Sequence, residues 1–373
     1  MKNFLDKFFS RSKNLDYISQ NLKQITLTTP ANKIFEAINN FSEKSEIRYV
    51  GGCVRKVIKK ENVDDIDLAT NLTPLEVCEA LKNKQISYYE TGIEHGTITA
   101  IIDEYKFEIT SLRKDLSTDG RHAEVEFSLD WKEDASRRDF TINSIYADSN
   151  GNLFDPFNGK KDLEEGRINF IGNVEKRIQE DYLRILRYLR FYLNYSNHKH
   201  QSEILKNIKK NIDGISNISP ERLIDELKKI TSSKGFLKIF KDKESLELIE
   251  IIFPQLKNIQ NFKKLNSYAT ENFLKIDFIF LISLLVIDGT DNVDYFLYKF
   301  KISKKDQKRL KLIDFFYKEK VIPTLPIGAD LLMSKFQIPE GKTLGNKLKR
   351  IEETWVQNGF QISDKQVEQI VKS

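Results

Sequence analysis

The pattern of hydrophobic and polar positions changes character near Gly166. Before it, short runs such as Thr97 to Asp103 and Lys106 to Leu112 read as strands between glycine and asparagine turns. Stretches of helical spacing, Pro30 to Phe41 and Pro74 to Lys82, interrupt them. After Gly166 strand signals nearly vanish, and Leu, Ile, Lys and Glu recur at helical spacing. The first part therefore predicts a mixed sheet-and-helix unit, and the remainder a helical array. Ser216 to Pro220 predicts a break before a helix started by Ser219 and Pro220. Val321 to Gly328, with Pro323 and Pro326, sets off a last helical segment.

Two short patterns in the first part carry chemistry. The run Arg48-Tyr-Val-Gly-Gly-Cys-Val-Arg-Lys56 ends an apolar strand in paired glycines, and Asp64-Asp-Ile-Asp-Leu68 places carboxylates on alternate residues of another. Strand side chains alternate between faces, so Asp65 and Asp67 project to one side while Ile66 and Leu68 point into a core. Two anionic oxygen ligands on one face suit a hard cation such as magnesium, which is held by one or two carboxylates plus substrate phosphates. A pair of such ions activates an attacking hydroxyl and neutralises a leaving pyrophosphate. Gly51 and Gly52 lack side chains, so the backbone can approach a triphosphate with its N–H groups, and Arg55 lies just beyond, within reach of the phosphates. Taken singly, an Asp-x-Asp is a solvated strand end and a Gly-Gly a turn; their order and spacing together are specific.

More motifs follow: Glu94-His-Gly-Thr-Ile-Thr99, Phe107-Glu-Ile-Thr-Ser-Leu-Arg113, Asp119-Gly-Arg-His-Ala-Glu-Val-Glu-Phe127, Arg137-Arg-Asp-Phe-Thr-Ile-Asn-Ser144, Asp155-Pro-Phe-Asn-Gly159 and Glu180-Asp-Tyr-Leu-Arg-Ile-Leu-Arg187. In this order they resemble the nucleotidyltransferase superfamily of DNA polymerase beta. Within it they are similar to the class II CCA-adding tRNA nucleotidyltransferases and their relatives, the bacterial poly(A) polymerases. The likeness is dense from about Arg48 to Phe191 and thinner beyond. It implies an α+β polymerase-beta-like nucleotidyltransferase head followed by an all-α helical neck, body and tail. The expected divisions are an N-terminal extension over 1–26, the head over 27–165, a neck with the nucleobase-recognition helix over 166–235, a body over 236–320 and a tail over 321–373. The implied activity is addition of C, C and A to tRNA 3′ ends from CTP and ATP without a nucleic acid template, with Mg2+ as cofactor and Asp65 and Asp67 as its ligands. A poly(A) polymerase shares every head motif, but this chain lacks the long basic extension those enzymes tend to carry. Two further readings are a partial CC- or A-adding enzyme and a noncatalytic tRNA-binding protein.

The resemblance also assigns roles outside the opening motif. Glu108 lies on a run whose alternation suits a strand beside the aspartates. It either completes the catalytic carboxylates, as a third acid does in polymerase-beta-like enzymes, or faces water. The polar stretch between Leu112 and Phe127 has the residues of a mobile loop, and a loop at this place in the family serves the switch from C to A. Arg137 and Arg138 offer planar, bidentate recognition of phosphate, with Asp139 expected to hold the gripping arginine, Arg138 above all. On the helix beginning near Glu180, Asp181, Arg184, Arg187 and Arg190 follow at three-residue steps beside an apolar row of Leu183, Leu186 and Leu189. The polar row drifts around the helix, so Asp181 and Arg184 can share one site but Arg190 points elsewhere. By resemblance, Asp181 and Arg184 read the Watson-Crick edge of the incoming base, and Arg187 and Arg190 serve phosphates or rigidity. A surface salt-bridge ladder is the plainer reading. Glu221 and Arg222 are expected to brace this helix. Lys301, Lys304, Lys305, Lys308, Arg309 and Lys311 either track a tRNA backbone or form a solvated face. One departure stands out: relatives carry an acid where this chain has Lys56, and Asp64 or Glu61 is the expected compensation.

Composition adds bounds. A chain of 373 residues, 40% hydrophobic and 31% charged, buries a sizeable core in more than one domain. A formal net charge of +5 permits a polyanionic partner without demanding one. No apolar run reaches the length of a membrane span, and no protein partner is evident. Cys53 and Cys78 fit no metal-ligand spacing, and Cys53 is expected to be a small buried side chain beside the glycine turn. Met1 to Leu15 mixes Phe4, Leu5, Phe8 and Phe9 with Lys2, Lys7, Arg11 and Lys13, as a surface helix or a targeting segment would. Asp6 and Asp16 argue against mitochondrial targeting and for a cytoplasmic protein.

Overall fold

The computed structural model describes residues 17–118, 123–319, 325–358 and 361–372, so Met1 to Leu15 and Pro323 of the predicted break lie outside the described residues. The chain divides into two compact units, Met1–Phe278 with Lys299–Ile302, and Ile279–Tyr298 with Ser303–Ser373.

The first unit opens with two helices, α1 (17–28) and α2 (Ala31–Asn39). Ile18 and Leu22 of α1 are buried in the same core as Ile34, Phe35 and Ile38 of α2. The helical spacing of these apolar residues buries them against the sheet. Next come β1 (Ile47–Val50), α3 (Gly52–Ile58), β2 (Ile66–Thr70), α4 (Pro74–Asn83), β3 (Ser87–Gly92), β4 (Thr97–Ile102) and β5 (Tyr105–Ser111). The Thr73 hydroxyl accepts from the Glu76 amide and the Glu76 carboxylate accepts from Thr73, a capping box that starts α4 where the sequence predicts it.

Seven strands form one sheet in the order β3-β4-β5-β2-β1-β8-β9, where β8 is Tyr146–Ala147 and β9 is Leu153–Phe154. Strand periodicity sorts side chains between two cores. Ile47, Tyr49, Leu68, Phe107 and Ile109 face the helices α1, α2 and α4, whereas Val50, Ala69, Leu112 and Tyr146 pack on the other side with Ala135 and Trp131. Strands β2 and β5 run parallel, with Asp67 opposite Glu108 and Leu68 opposite Ile109.

The polar stretch expected as a loop is instead a two-stranded antiparallel ribbon of β6 (Arg113–Thr118) and β7 (Ala123–Phe127), with Arg113 opposite Phe127. The alternation of Val125 and Phe127 with acidic residues supplies the pleat, and Lys114 pairs with Glu126 at 2.7 Å. Residues 119–122 at its tip lie outside the described residues.

Helices α5 (Trp131–Arg137) and α6 (Gly159–Glu165) complete the head. Gly159 sits so close to the Thr141–Asn143 turn that a Cβ there would meet the Thr141 carbonyl oxygen at 1.9 Å. Beyond it follow α7 (Val174–Glu180), α8 (Leu183–Tyr195), α9 (Ser202–Asn211) and α10 (Pro220–Thr231). The predicted start of α10 holds, with Ser219 as its cap. Phe140 bridges to Phe170, and its ring lies 4.8 Å from Phe170 and 5.4 Å from Phe191 of α8. The predicted apolar row of α8 is buried, Leu186 and Leu189 completely. In the second unit, Leu332, Leu344, Ile351 and Val367 form the core of the last three helices, Ala329–Phe336, Lys342–Gln357 and Asp364–Lys372.

Candidate active site

Strand β1 ends at Val50, and the chain turns through Gly51 with φ +68 into α3. That positive φ favours glycine, and Gly52 brings the first turn of α3 against Asp67, whose Oδ2 lies 3.6 Å from where a Gly52 Cβ would stand. The Gly51 amide already donates to the Ile145 carbonyl at 3.4 Å. Donors left for an anion are those of the first turn of α3, beginning with Gly52. Beneath the turn, the Cys53 thiol is buried, donates to the Val50 and Asp67 carbonyls, and has its pKa pushed up to about 11 by burial.

Asp65 immediately precedes β2, and Asp67 lies within it with Glu108 alongside on β5. Burial raises the Asp67 pKa, and the charges of Glu108 and Asp65 raise it further, against opposing pulls from Arg138 and Arg55. A divalent cation would relieve the unfavourable charge on Asp67. Among the described residues no three or more histidine, cysteine or carboxylate side chains are grouped so that they could hold a metal ion. The donor set is that of an open site needing further oxygens from elsewhere, which suits a cation that shares substrate phosphates.

A cleft of about 540 Å³ runs from the glycine turn and Asp67 to the start of α8. It gathers Gly51, Gly52, Arg55, Asp67, Arg137, Arg138, Asp139, Asp181, Arg184, Arg187 and Arg190, residues drawn from widely separated stretches of sequence. Three more line it, Arg113, Asn143 and Phe191, to which the sequence pattern gave no role in the site. Glu180, Asp65 and Glu108 are not among the residues that line it.

The arginines are held from behind. Arg137 donates from Nε and Nη2 to Asp134 Oδ1 at 2.9 and 2.7 Å, and Arg138 from the same atoms to Asp134 Oδ2 at 3.1 and 3.0 Å. The Tyr146 hydroxyl adds a 2.6 Å bond to Asp134 Oδ2. Burial alone would raise the Asp134 pKa, but Arg138 and Arg137 outweigh it and hold the carboxyl well below the usual range. The expectation that Asp139 holds Arg138 is therefore corrected. Asp134 lies one turn earlier on α5, three and four residues from the arginines. Asp139 serves α8 instead: Arg187 donates to its Oδ2 at 2.7 Å and Asn143 to its Oδ1 at 2.8 Å. These contacts overcome burial and bring the Asp139 pKa down to about 2.

Helix α8 differs from its prediction at its start. Asp181 is extended, with φ −154, in the joint between α7 and α8, where its Oδ1 accepts from the Leu183 amide at 3.1 Å. A short acidic side chain competes for a neighbouring N–H and breaks the helix there. Arg222 donates to Asp181 Oδ2 at 2.8 Å, as expected for a brace from α10. Glu221 pairs with Lys301 at 3.8 Å. Arg184 donates to Glu180 Oε2 at 2.6 Å and to the Arg177 carbonyl at 2.7 Å. Arg190 donates to buried Glu226 at 2.5 Å, and contrary to expectation it lines the same cleft as Arg184. The Phe191 ring explains this: guanidinium carbons of Arg190, Arg55 and Arg187 lie 4.3, 4.8 and 5.7 Å from its centroid, so the ring gathers three cations. Arg177, which sequence reasoning missed, is buried and donates to the carbonyls of Arg137 and Arg138, tying α7 to the end of α5.

Lys56 finds its place as well. It pairs with Asp64, whose pKa is lowered by that hydrogen bond, while Arg55 is held by the Asn143 side-chain oxygen. In the basic run, Lys311 pairs with Asp294 at 3.1 Å, and Lys301 belongs to the first unit while the other five residues belong to the second.

Comparisons with known proteins agree with this geometry. The family described as Poly A polymerase head domain matches residues 47–169, and that described as Probable RNA and SrmB-binding site of polymerase A matches 201–260. The mitochondrial CCA tRNA nucleotidyltransferase 1 of Mus musculus is 40% identical over 269 residues, 71% of this chain and 61% of the relative, so the chain spans less than two thirds of that protein. The CCA-adding enzyme of Lactobacillus johnsonii is 32% identical over 278 residues, 73% of this chain and 68% of the relative. Among solved structures, the Thermotoga maritima CCA-adding enzyme complexed with tRNA shares the fold with a TM-score of 0.58 at 18% identity, covering 95% of this chain and 98% of its own. No helix among the described residues is long and apolar enough to cross a membrane. The sheet-and-helix head, the helical remainder and the relatives matched over most of their length lead to one assignment: the chain belongs to the family of CCA-adding tRNA nucleotidyltransferases.

Proposed function

We propose that this chain adds C, C and A to the 3′ ends of tRNA from CTP and ATP, without a nucleic acid template. The observation that carries the reading is the single cleft that joins the glycine turn and Asp67 to Asp181 and Arg184. A nucleoside triphosphate laid along it has its phosphates at the first turn of α3, with Arg55, Arg137 and Arg138 as cations, and its base at the start of α8. Asp65 and Asp67 are the ligands proposed for Mg2+, with Glu108 beside them as the third carboxylate. The chemistry supplied by the bound ions is activation of the tRNA 3′ hydroxyl and neutralisation of charge on departing pyrophosphate.

Base choice in this reading belongs to Asp181 and Arg184. Cytosine and adenine each present an exocyclic amino donor beside a ring-nitrogen acceptor, which a carboxylate and a guanidinium can satisfy. Guanine and uracil present the reverse polarity and leave buried groups unpaired. Arg222 and Glu180 fix the two readers in place. Asp139 positions Arg187, and Arg190 is anchored by Glu226. The division into head 27–165, neck 166–235, body 236–320 and tail 321–373, and a cytoplasmic location, belong to the same proposal.

The test is incubation with magnesium, with each nucleoside triphosphate alone and in mixtures, on tRNAs lacking all, two or the last of the terminal CCA nucleotides. Completion of CCA followed by arrest is the expected result. An unbounded A tail on any RNA identifies a poly(A) polymerase instead, and no transfer at all refutes the reading.

A further inference from the structure

Between the glycine turn and α8 lies a hydrogen-bonded row of side chains in which Asn143 has no assigned role. The Asn143 side-chain oxygen accepts from Arg55 Nη1, its amide nitrogen donates to Asp139 Oδ1 at 2.8 Å, and Asp139 Oδ2 accepts from Arg187 Nε at 2.7 Å. Asn143, Asp139 and Arg55 are all buried. The orientation of the amide is forced by its neighbours, because a guanidinium can only donate and an ionised carboxylate can only accept. An aspartate in place of Asn143 would set a second carboxylate against Asp139, and an apolar residue would leave both Arg55 and Asp139 short of a partner.

We infer that Asn143 is the positioning residue of this cleft: a neutral relay that fixes the Arg55 guanidinium toward the triphosphate and, through Asp139, ties it to Arg187 on the base-reading helix. This rests on the nucleotidyl-transfer reading above. The Arg55 guanidinium is held by an amide oxygen rather than by a carboxylate, while its neighbour Lys56 is committed to Asp64. Asn143 supplies an acceptor from the other side of the cleft without adding charge that would oppose phosphates. Its backbone also borders the glycine turn, with its carbonyl oxygen 3.9 Å from a Cβ built on Gly51.

A reversal tests the relay. Asn143→Asp alone sets like charges together and is expected to raise KM for both CTP and ATP by about 10-fold or more, with the ratio of C to A addition unchanged. Asp139→Asn alone weakens the hold on Arg187. The double variant Asp139→Asn with Asn143→Asp restores alternating donors and acceptors along the row. It is expected to recover at least several-fold in KM over Asn143→Asp, short of wild type because the Phe140 amide loses its acceptor on Asp139. A double variant no better than Asn143→Asp overturns the inference. In a second cycle, Asn143→Ser is combined with Arg55→Ala: if Asn143 acts through Arg55, the serine adds less than about twofold in KM once Arg55 is gone, whereas independent, multiplicative losses overturn it. Calorimetric binding of CTP and ATP to each folded variant, checked by thermal melting, reads the same effects without transfer to tRNA. Wild type that binds both nucleotides yet transfers neither refutes the proposed function alone; wild type that transfers them while the reversal fails refutes the relay alone.

Discussion

Asp134→Asn is the sharpest test of how the cleft is built. Its carboxylate, 1% exposed, receives five side-chain hydrogen bonds from Arg137, Arg138 and Tyr146. The asparagine is isosteric, but its amide must turn an NH2 either toward the two donors of Arg137 or toward those of Arg138 and Tyr146. Both guanidiniums lose their counter-ion, and whichever way the amide turns one of them meets a donor. Removing one partner of a buried ion pair costs about 3–5 kcal/mol, and the arginines, 15% and 18% exposed, bring this case to the lower end of that range. At roughly 2–4 °C per kcal/mol for a unit of this size, a loss of about 3 kcal/mol lowers the melting temperature by roughly 6–12 °C.

The pH dependence has a fixed sign. The folded pKa of Asp134 lies below its unfolded value, so its contribution is fully present above the ordinary carboxylate pKa of about 4 and is lost as pH falls through the depressed folded value. The gap in melting temperature between wild type and variant should therefore be full at pH 7 and narrow below about pH 4. Circular dichroism melts at both values measure it, and nucleotide KM should rise as the two arginines lose their brace. A melting temperature within about 2 °C of wild type at pH 7 would falsify the account of Asp134 as the clamp on both arginines.

Further consequences are more direct. Asp67→Asn should cut transfer by about 100-fold or more, since a bound metal supplies several kcal/mol of transition-state stabilisation; filter binding of tRNA should be unchanged, EDTA should mimic the substitution, and retained activity would remove Asp67 from the metal site. Arg184→Ala should cost about 1–3 kcal/mol of base discrimination by leaving a polar edge unpaired, seen as incorporation of G or U in a primer-extension assay, and an unaltered base spectrum would count against the reader role. Lys56→Ala removes only a partly exposed ion pair, worth about 0–1 kcal/mol, so activity within about twofold of wild type is expected, and a large loss would mean Lys56 touches substrate. Gly159→Ala forces a Cβ onto the Thr141 carbonyl and should destabilise by about 1–3 kcal/mol, read as a lower urea midpoint; an unshifted midpoint would show that α6 can move away freely.

How far the sequence could lead depended on the range of each interaction. Local alternation sufficed for β4 and β5, and helical spacing for α4. Glu108 was readable as a strand residue, but only the register of β2 with β5 sets it opposite Asp67. Asp134 and Arg177 went unread because one precedes the double arginine and looks like an ordinary first-turn acid, and the other contacts backbone carbonyls 39 and 40 residues away. A helix count from Glu180 sent Arg190 outward, since spacing alone knows neither the extended Asp181 nor the aromatic ring that collects the arginines.

That ring and those acids explain how so many cations share one cleft. Arg137 and Arg138 share Asp134, Arg184 has Glu180, Arg187 has Asp139 and Arg190 has Glu226. Pairing lowers mutual repulsion and fixes the guanidiniums in advance, so the proposed transfer would need little reorganisation as charge develops on the phosphates. Arg55 departs from this scheme, being held by the neutral amide of Asn143. A cation balanced by an amide keeps more of its field for an anion than one balanced by a carboxylate. Arg55, beside the glycine turn, should then attract a triphosphate more strongly than an otherwise similar guanidinium paired with a carboxylate.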